Sequence, residues 1–171
     1  MSWELSLLNW IQANLHSAVG NAIWPVITAL GNGGVLWIAL ALVLICIKRT
    51  RKLGFCVAVA LILDVVSCNL ILKPLIGRLR PFALDSGLVP LIKIPADASF
   101  PSGHTASSFA AASALCFGKS RLKIPALVLA CAIAFSRLYV LVHFPTDVLA
   151  GALLGISCGF VGVKLIERIK I

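Results

Sequence analysis

Charged residues are scarce in this sequence: they make up 12% of its 171 residues, while 60% are hydrophobic. Soluble domains average about 25% charged and about 45–50% apolar residues. The shortage excludes an ordinary soluble domain and predicts an all-α integral membrane protein, folded as a single domain over residues 1–171. The formal net charge of +9 would suggest nucleic acid in a soluble protein. In a membrane chain we expect no such partner, and the placement of the charges is more informative.

The sequence also lacks the patterns that hold metals or disulfide frameworks. Its six cysteines fall inside apolar segments with no CxxC spacing, and its three histidines are too scattered for a zinc motif. Single cysteines in apolar segments usually pack as small hydrophobic side chains. We therefore expect neither a metal site nor a cofactor.

Positive charge is missing from the beginning of the chain, where no lysine or arginine precedes Lys48. A secretory signal needs a positively charged start, so we expect the N-terminus to be mature sequence. Residues 3–16 repeat an apolar side chain at every fourth position, from Trp3 to Leu15. This spacing predicts an amphipathic helix lying at the membrane surface, although Glu4 intrudes on its apolar face.

Long apolar runs dominate the remainder. Residues 19–30 form a piece that is shorter than the roughly 20 residues of a span. Five clearer segments follow: a run ending at Ile47, then about 53–76, 102–118, 123–142 and 147–166. They predict a bundle of five transmembrane helices, or six if the N-terminal piece spans. Residues 1–31 are then interfacial, and residues 32–171 form the transmembrane bundle.

The last apolar segment carries glycine at every fourth position, at Gly151, Gly155 and Gly159. Small residues at this spacing let helix backbones approach closely inside a membrane. The stripe predicts close packing within the bundle, with dimerisation as the alternative; the sequence leaves the oligomeric state open.

Most basic residues lie on one side of the predicted bundle, where the positive-inside rule indicates the cytoplasm. They form three clusters: Lys48, Arg49, Arg51 and Lys52; Lys119, Arg121 and Lys123; Lys164, Arg168 and Lys170. The remaining five fall at the opposite face: Lys73, Arg78, Arg80, Lys93 and Arg137. Positive charge kept against the topological bias needs a reason, and an anionic ligand supplies one.

The first of three polar stretches at this opposite face runs from Lys73 to Arg80-Pro81. If it is helical, Lys73 and Arg80 project from one side about 10 Å apart. Their side chains could then converge on one phosphate, with a point charge from lysine and a planar fork from arginine. Contact with lipid headgroups is the plainer interpretation, and it accounts for Arg78.

The second stretch, Pro101-Ser102-Gly103-His104, opens a predicted helix. Ser102 suits the N-cap, and Gly103 allows a close backbone approach. Free backbone N–H groups at a helix start favour an anion, and His104 would face the same space. Taken alone, the tetrapeptide fits a capping serine beside an incidental histidine equally well.

The third stretch, Ser136 to Asp147, joins two apolar segments and contains Arg137, His143 and Asp147. Ionisable residues at a segment junction suggest a functional site, because charge at membrane depth is costly. Pro145 disfavours helical backbone at the residue before it, so His143 should lie on a turn. A snorkelling arginine beside a loop histidine is the alternative.

Together the three stretches read K-x6-R-P, P-S-G-H and S-R-x5-H-x3-D, and over roughly residues 50–165 the chain closely resembles the phosphatidic acid phosphatase type 2 superfamily. The resemblance implies metal-independent hydrolysis of a membrane lipid phosphate or pyrophosphate through a phosphohistidine. His143 is then the nucleophile, Asp147 orients it, and His104 acts first as acid and then as base. The implied phosphate-binding residues are Lys73, Arg80, Ser102, Gly103 and Arg137. The family suggests phosphatidic acid, phosphatidylglycerol phosphate and undecaprenyl pyrophosphate as substrates.

Two other functions remain open at this stage. A phosphotransferase would pass the same phosphoryl group to a hydroxyl other than water. A non-catalytic anion-binding transporter would not need a nucleophile paired with an orienting carboxylate, so His143 and Asp147 argue against it. For the enzyme we expect a bacterial inner membrane, with the active site facing the periplasm or exterior.

Overall fold

The computed structural model describes residues 2–169, which are helical wherever they are regular and contain no strand. Lys170, which the sequence places with the third basic cluster, lies outside this range. The helices are α1 (Trp3–Asn14), α2 (Ala18–Ala29), α3 (Val35–Cys46), α4 (Arg51–Asp64), α5 (Lys73–Ile76), α6 (Pro81–Leu84), α7 (Gly103–Phe117), α8 (Lys123–Tyr139) and α9 (Pro145–Glu167). A 3-10 turn at Asn32–Gly34 precedes α3, and a π-helix over Val65–Leu72 continues α4 into α5.

Two described segments, Arg51–Leu84 and Pro145–Glu167, are long and apolar enough to cross a membrane. A third candidate arises if α2 and the segment Asn32–Cys46, bent by 43° at their junction, count as one span. α7 and α8 contain 15 and 17 residues, fewer than the roughly 20 of a typical span. An integral membrane protein is supported, whereas the predicted number of five crossings stays a prediction.

The centre of the bundle is the contact between α7 and α9, which places two of the three polar stretches side by side. A Cβ atom built on Gly151 would lie 2.7 Å from the carbonyl oxygen of Ser102, and one on Gly159 would lie 2.7 Å from Cβ of Ser113. Glycine is therefore required for the helices to pack this closely. The predicted packing role of the glycine stripe within the bundle is confirmed.

The N-terminal helices pack against the end of the bundle where the polar stretches lie. α1 buries Glu4, Leu8 and Ile11, whereas Trp3 and Trp10 are more than half exposed, at 61% and 53%. The intrusion of Glu4 on the apolar face has a structural reason, because its carboxylate pairs with Arg78 at 2.6 Å. The helix is thus two-sided, but its inward face carries an acid.

The segment from Lys73 to Arg80 is not one helix, so the conditional argument for their spacing was wrong. α5 ends at Ile76, and Gly77 adopts a left-handed φ of +59°, a conformation that glycine tolerates best. Arg80 then lies in extended backbone just before α6. The two cations nevertheless meet, because the chain folds back on itself.

Candidate active site

The three polar stretches surround one cavity of about 720 Å³. Six of the eight predicted site residues line it: Lys73, Arg80, Gly103, His104, Arg137 and His143. The other two, Ser102 and Asp147, are fully buried next to it. The structure therefore brings together residues that are up to 74 positions apart in the chain, such as Lys73 and Asp147.

His143 lies in the short turn between α8 and α9, as the proline after Phe144 predicted, and is 1% exposed. Its Nδ1 lies 3.4 Å from both Oδ2 of Asp147 and Oγ of Ser99. Its Nε2 lies 3.4 Å from Nη1 of Arg80, on the side of the cavity. Burial lowers the pKa of His143 to about 3, although hydrogen bonding to Asp147 opposes the shift. The imidazole is therefore neutral at physiological pH and can act as a nucleophile.

Asp147 is held at the start of α9 by several donors. Its Oδ2 accepts from the backbone N–H of Phe144 at 2.9 Å and from Oγ of Ser99 at 2.5 Å. Its Oδ1 accepts from Nη1 of Arg78 at 2.6 Å. The interpretation of Arg78 as a headgroup contact was wrong: this arginine joins Asp147 to Glu4 and lies 4.0 Å from the ring centroid of Phe144.

Lys73 and Arg80 share a carboxylate that the sequence reasoning did not use. Nη2 of Arg80 donates to Oδ1 of Asp97 at 2.7 Å, and Nζ of Lys73 pairs with Oδ2 of the same residue. Asp97 lies in the irregular segment between α6 and α7. Burial alone would raise the pKa of Asp97, but its hydrogen bond from Lys73 and the charges of Lys73 and Arg80 lower it to about 2.

Arg137 is a buried cation with incomplete hydrogen bonding. It is 2% exposed, and its Nη1 donates to Oγ1 of Thr28 at 2.6 Å. Its Nε has no partner among the described residues. An unpaired buried guanidinium nitrogen beside a cavity is suited to an anion that supplies the missing acceptor.

The Ser102 side chain at the start of α7 does not make the capping hydrogen bond that the sequence suggested. Ser102 is the N-cap residue, yet its hydroxyl caps no backbone N–H; it accepts from Oγ1 of Thr105 at 3.0 Å. Gly103 lines the cavity, where a Cβ would lie 3.3 Å from Oδ1 of Asn69. His104 also lines it, with Nε2 at 2.9 Å from Oδ1 of Asn32.

Several residues that support the site were missed by sequence reasoning. Four partners of the predicted residues come from outside the three stretches: Thr28, Asn32, Asp97 and Ser99. A fifth residue, Glu4, pairs with Arg78, which the prediction left out of the site. Two of them carried a usable signal. The sequence has six acidic residues, so each acid near the basic face, Asp97 included, was a candidate counterion, and Glu4 was out of place on an apolar face.

The fold and the site define a helical membrane protein with a cationic pocket that contains two histidines. It belongs to the PAP2 superfamily, which matches residues 49–170, the greater part of the chain. The family predicted from the three motifs is confirmed.

Similar proteins carry phosphatase names. The chain is 34% identical over 131 residues to an undecaprenyl-diphosphatase of Sulfolobus acidocaldarius, covering 76% of this chain and 63% of the relative. It is 30% identical over 172 residues to a lipid A 4'-phosphatase of Bacteroides thetaiotaomicron, covering 90% and 76%. The crystal structure of Aquifex aeolicus LpxE superposes with a TM-score of 0.81 at 29% identity, covering 96% of both chains. The chain spans less than two thirds of the length of the Sulfolobus acidocaldarius relative and about three quarters of that of the Bacteroides thetaiotaomicron one.

Proposed function

We propose that this protein hydrolyses lipid phosphate or diphosphate esters through a phosphohistidine at the extracytoplasmic face of the membrane, without a metal ion. The observation that carries the proposal is the placement of His143. One ring nitrogen faces the Asp147 carboxylate, and the other faces a cavity lined by Lys73, Arg80 and Arg137. A neutral nucleophile beside three cations is matched to an incoming phosphate dianion.

In the first step, Nε2 of His143 attacks phosphorus, and the bond from phosphorus to the lipid oxygen breaks. His104 gives a proton to the departing oxygen, and Asp147 stabilises the positive charge that forms on His143. In the second step, His104 takes a proton from water, whose oxygen bonds to phosphorus as the bond between nitrogen and phosphorus breaks. Inorganic phosphate leaves, and both histidines return to their starting state.

The cations supply the charge stabilisation that phosphoryl transfer requires. Arg80 and Lys73 would hold equatorial oxygens on one side, and the unpaired Nε of Arg137 would take another. The Gly103 amide, at the start of α7, adds a backbone donor. Ser102 would act chiefly through its place at the helix start, since its hydroxyl is already paired with Thr105. A pocket so rich in positive charge is a poor site for a divalent cation.

We propose five membrane crossings: α3, α4 with its π-helical continuation, α7, α8 and α9. Residues 1–31 would lie at the interface, within the same domain as residues 32–171. Gly103 and Phe117 at the two ends of α7 are about 21 Å apart along the helix, so the site and the basic cluster at Lys119 lie at opposite ends of the bundle. The positive-inside rule then supports an extracytoplasmic site. The membrane we propose is a bacterial inner membrane.

The substrate we propose is a lipid whose phosphate enters the cavity while its tail stays in the bilayer. Relatives are named for undecaprenyl diphosphate and for lipid A, and the family resemblance adds phosphatidic acid and phosphatidylglycerol phosphate. Purified protein should be assayed against these four, with phosphate release measured in the presence of a chelator. Phosphorylated acceptor in place of free phosphate would indicate the phosphotransferase.

His143→Ala should abolish phosphate release, by at least about 10⁴-fold for loss of a covalent nucleophile, while binding of inorganic phosphate persists. His104→Ala should reduce release as strongly, since the leaving oxygen loses its acid. The matched control is His16→Ala, which removes the third histidine; its Nε2 contacts the Tyr139 carbonyl at 2.8 Å, away from the cavity. Turnover by His143→Ala would contradict the proposal.

A further inference from the structure

The anion site described above already contains an anion from the protein itself. The Asp97 carboxylate pairs with Arg80 through Oδ1 and with Lys73 through Oδ2. The backbone around it adds two bonds, from Nε of Arg80 to the Asp97 carbonyl at 2.9 Å and from Nζ of Lys73 to the Ala98 carbonyl at 3.0 Å. Two carboxylate oxygens therefore occupy the donors that the proposed mechanism assigns to phosphate oxygens.

The exposure of this trio is unequal. The Asp97 side chain is 56% exposed, whereas those of Lys73 and Arg80 are 9% and 5% exposed. Asp97 also lines the same cavity as His143 and belongs to a segment without regular structure. Its carboxylate can therefore turn towards solvent without unwinding a helix, while the two cations stay in place.

We propose that Asp97 is a specificity-determining residue that lets dianionic phosphate monoesters and terminal diphosphates into the site and rejects phosphodiesters. This rests on the proposed function, since it assigns the same pocket to the reacting phosphate. An incoming phosphate gains Lys73 and Arg80 only by displacing the carboxylate from them.

The difference in charge between a phosphate monoester and a phosphodiester decides which of them can displace Asp97. A phosphodiester carries one negative charge, so exchanging it for Asp97 replaces one anion by another and leaves the electrostatic balance of the pocket unchanged. A monoester dianion brings a second negative charge to Lys73, Arg80 and Arg137. At short range in a poorly solvated pocket this second charge is strongly favoured. The internal carboxylate therefore sets a threshold that only the doubly charged group passes.

At a membrane surface this threshold would keep abundant phosphodiester lipids from occupying the pocket. The bulk lipids of a bilayer are phosphodiesters, and they surround the protein at a far higher local concentration than any monoester substrate. A cationic pocket open at headgroup level would fill with them. With Asp97 in place, the competing lipid gains nothing by entering.

The test compares Asp97→Asn with Asp85→Asn, which makes the same charge change in the same connecting segment. The native Asp85 carboxylate accepts from Asn9 at 2.8 Å and does not line the cavity. Full-length protein in non-ionic micelles free of phospholipid is titrated calorimetrically at pH 8 with inorganic phosphate and with dimethyl phosphate. We expect Asp97→Asn to bind both ligands about 10-fold more tightly, equivalent to about 1.4 kcal/mol, because each is spared the displacement of the same carboxylate, and dimethyl phosphate then binds measurably. Asp85→Asn and Asp97→Glu should keep the wild-type affinities.

A second readout uses turnover. Added phosphatidylglycerol should raise the apparent KM of Asp97→Asn about 10-fold and leave that of the wild type within 2-fold. Unchanged or weaker binding of dimethyl phosphate by Asp97→Asn would overturn the proposal, because Asp97 would then only position the cations. The binding arm needs no hydrolysis, so a protein with the expected affinities but without turnover would refute the proposed function separately.

Discussion

At the scale of single residues, His143 shows how burial prepares a side chain for its reaction. Desolvation lowers its pKa to about 3, against about 6.5 for an unfolded histidine. Because the folded pKa is depressed, the unfolded state binds the proton more readily between pH 6.5 and pH 3. The neutral ring that suits a nucleophile therefore reduces stability in mild acid.

This linkage predicts a pH-dependent difference between the wild type and His143→Asn. On going from pH 7.5 to pH 5, the wild type should lose about 2 kcal/mol more of its free energy of unfolding than the variant does. Thermal unfolding in detergent at several pH values measures this, and the two curves should run parallel above pH 7.5. Parallel curves down to pH 5 would contradict a depressed pKa.

At the scale of helices, the close contact of α7 and α9 sets the register of the site. The backbone N–H of Ser102 donates to the Asp147 carbonyl at 3.0 Å, so the two helix starts are bonded directly. The glycine stripe makes this approach possible. Any side chain added to it should push Asp147 away from the start of α7.

Gly155→Val tests this contact, because a Cβ there would overlap the Ala106 carbonyl. We expect a loss of about 1–3 kcal/mol in the free energy of unfolding from overpacking and a fall in kcat, both measured on purified protein. Ser157→Val adds the same side chain to an exposed position of the same helix and should change neither. Equal stability and activity of the two variants would mean that α9 is free to shift.

Helix ends that particular residues mark could be predicted from the sequence, whereas features without such a marker could not. The bounds of α7, α8 and α9 were close to correct, because Ser102, Gly118 and Pro145 mark helix ends. The π-helix at Val65–Leu72 was missed, since no side-chain pattern distinguishes it from an α-helix. The end of the second clear segment at Ile76 was correct, and only the conditional helical spacing from Lys73 to Arg80 failed, because the chain turns at Gly77.

At the scale of the whole molecule, the site depends on chain that lies outside the family match. The PAP2 match covers residues 49–170, yet Glu4, Thr28 and Asn32 contact Arg78, Arg137 and His104. Such partners could not be predicted from the motifs, because a hydrogen bond across more than 70 residues depends on how the N-terminal helices pack. Thr28 and Ala29 of α2 and Gly31 after it are thus part of the pocket wall.

Thr28→Val measures this contribution, since valine keeps the shape of threonine and removes the hydroxyl bonded to Arg137. The guanidinium would lose its acceptor inside the protein, where an unpaired charged donor costs roughly 1–3 kcal/mol. We expect kcat/KM to fall about 10-fold with secondary structure unchanged, because the arginine is no longer held towards the cavity. Thr50→Val is the control: it too removes a hydrogen-bonded hydroxyl, which donates to the Leu44 carbonyl at 3.0 Å, but at the opposite end of the bundle. A Thr28→Val enzyme with wild-type kcat/KM would show that the N-terminal helices cover the pocket without shaping it.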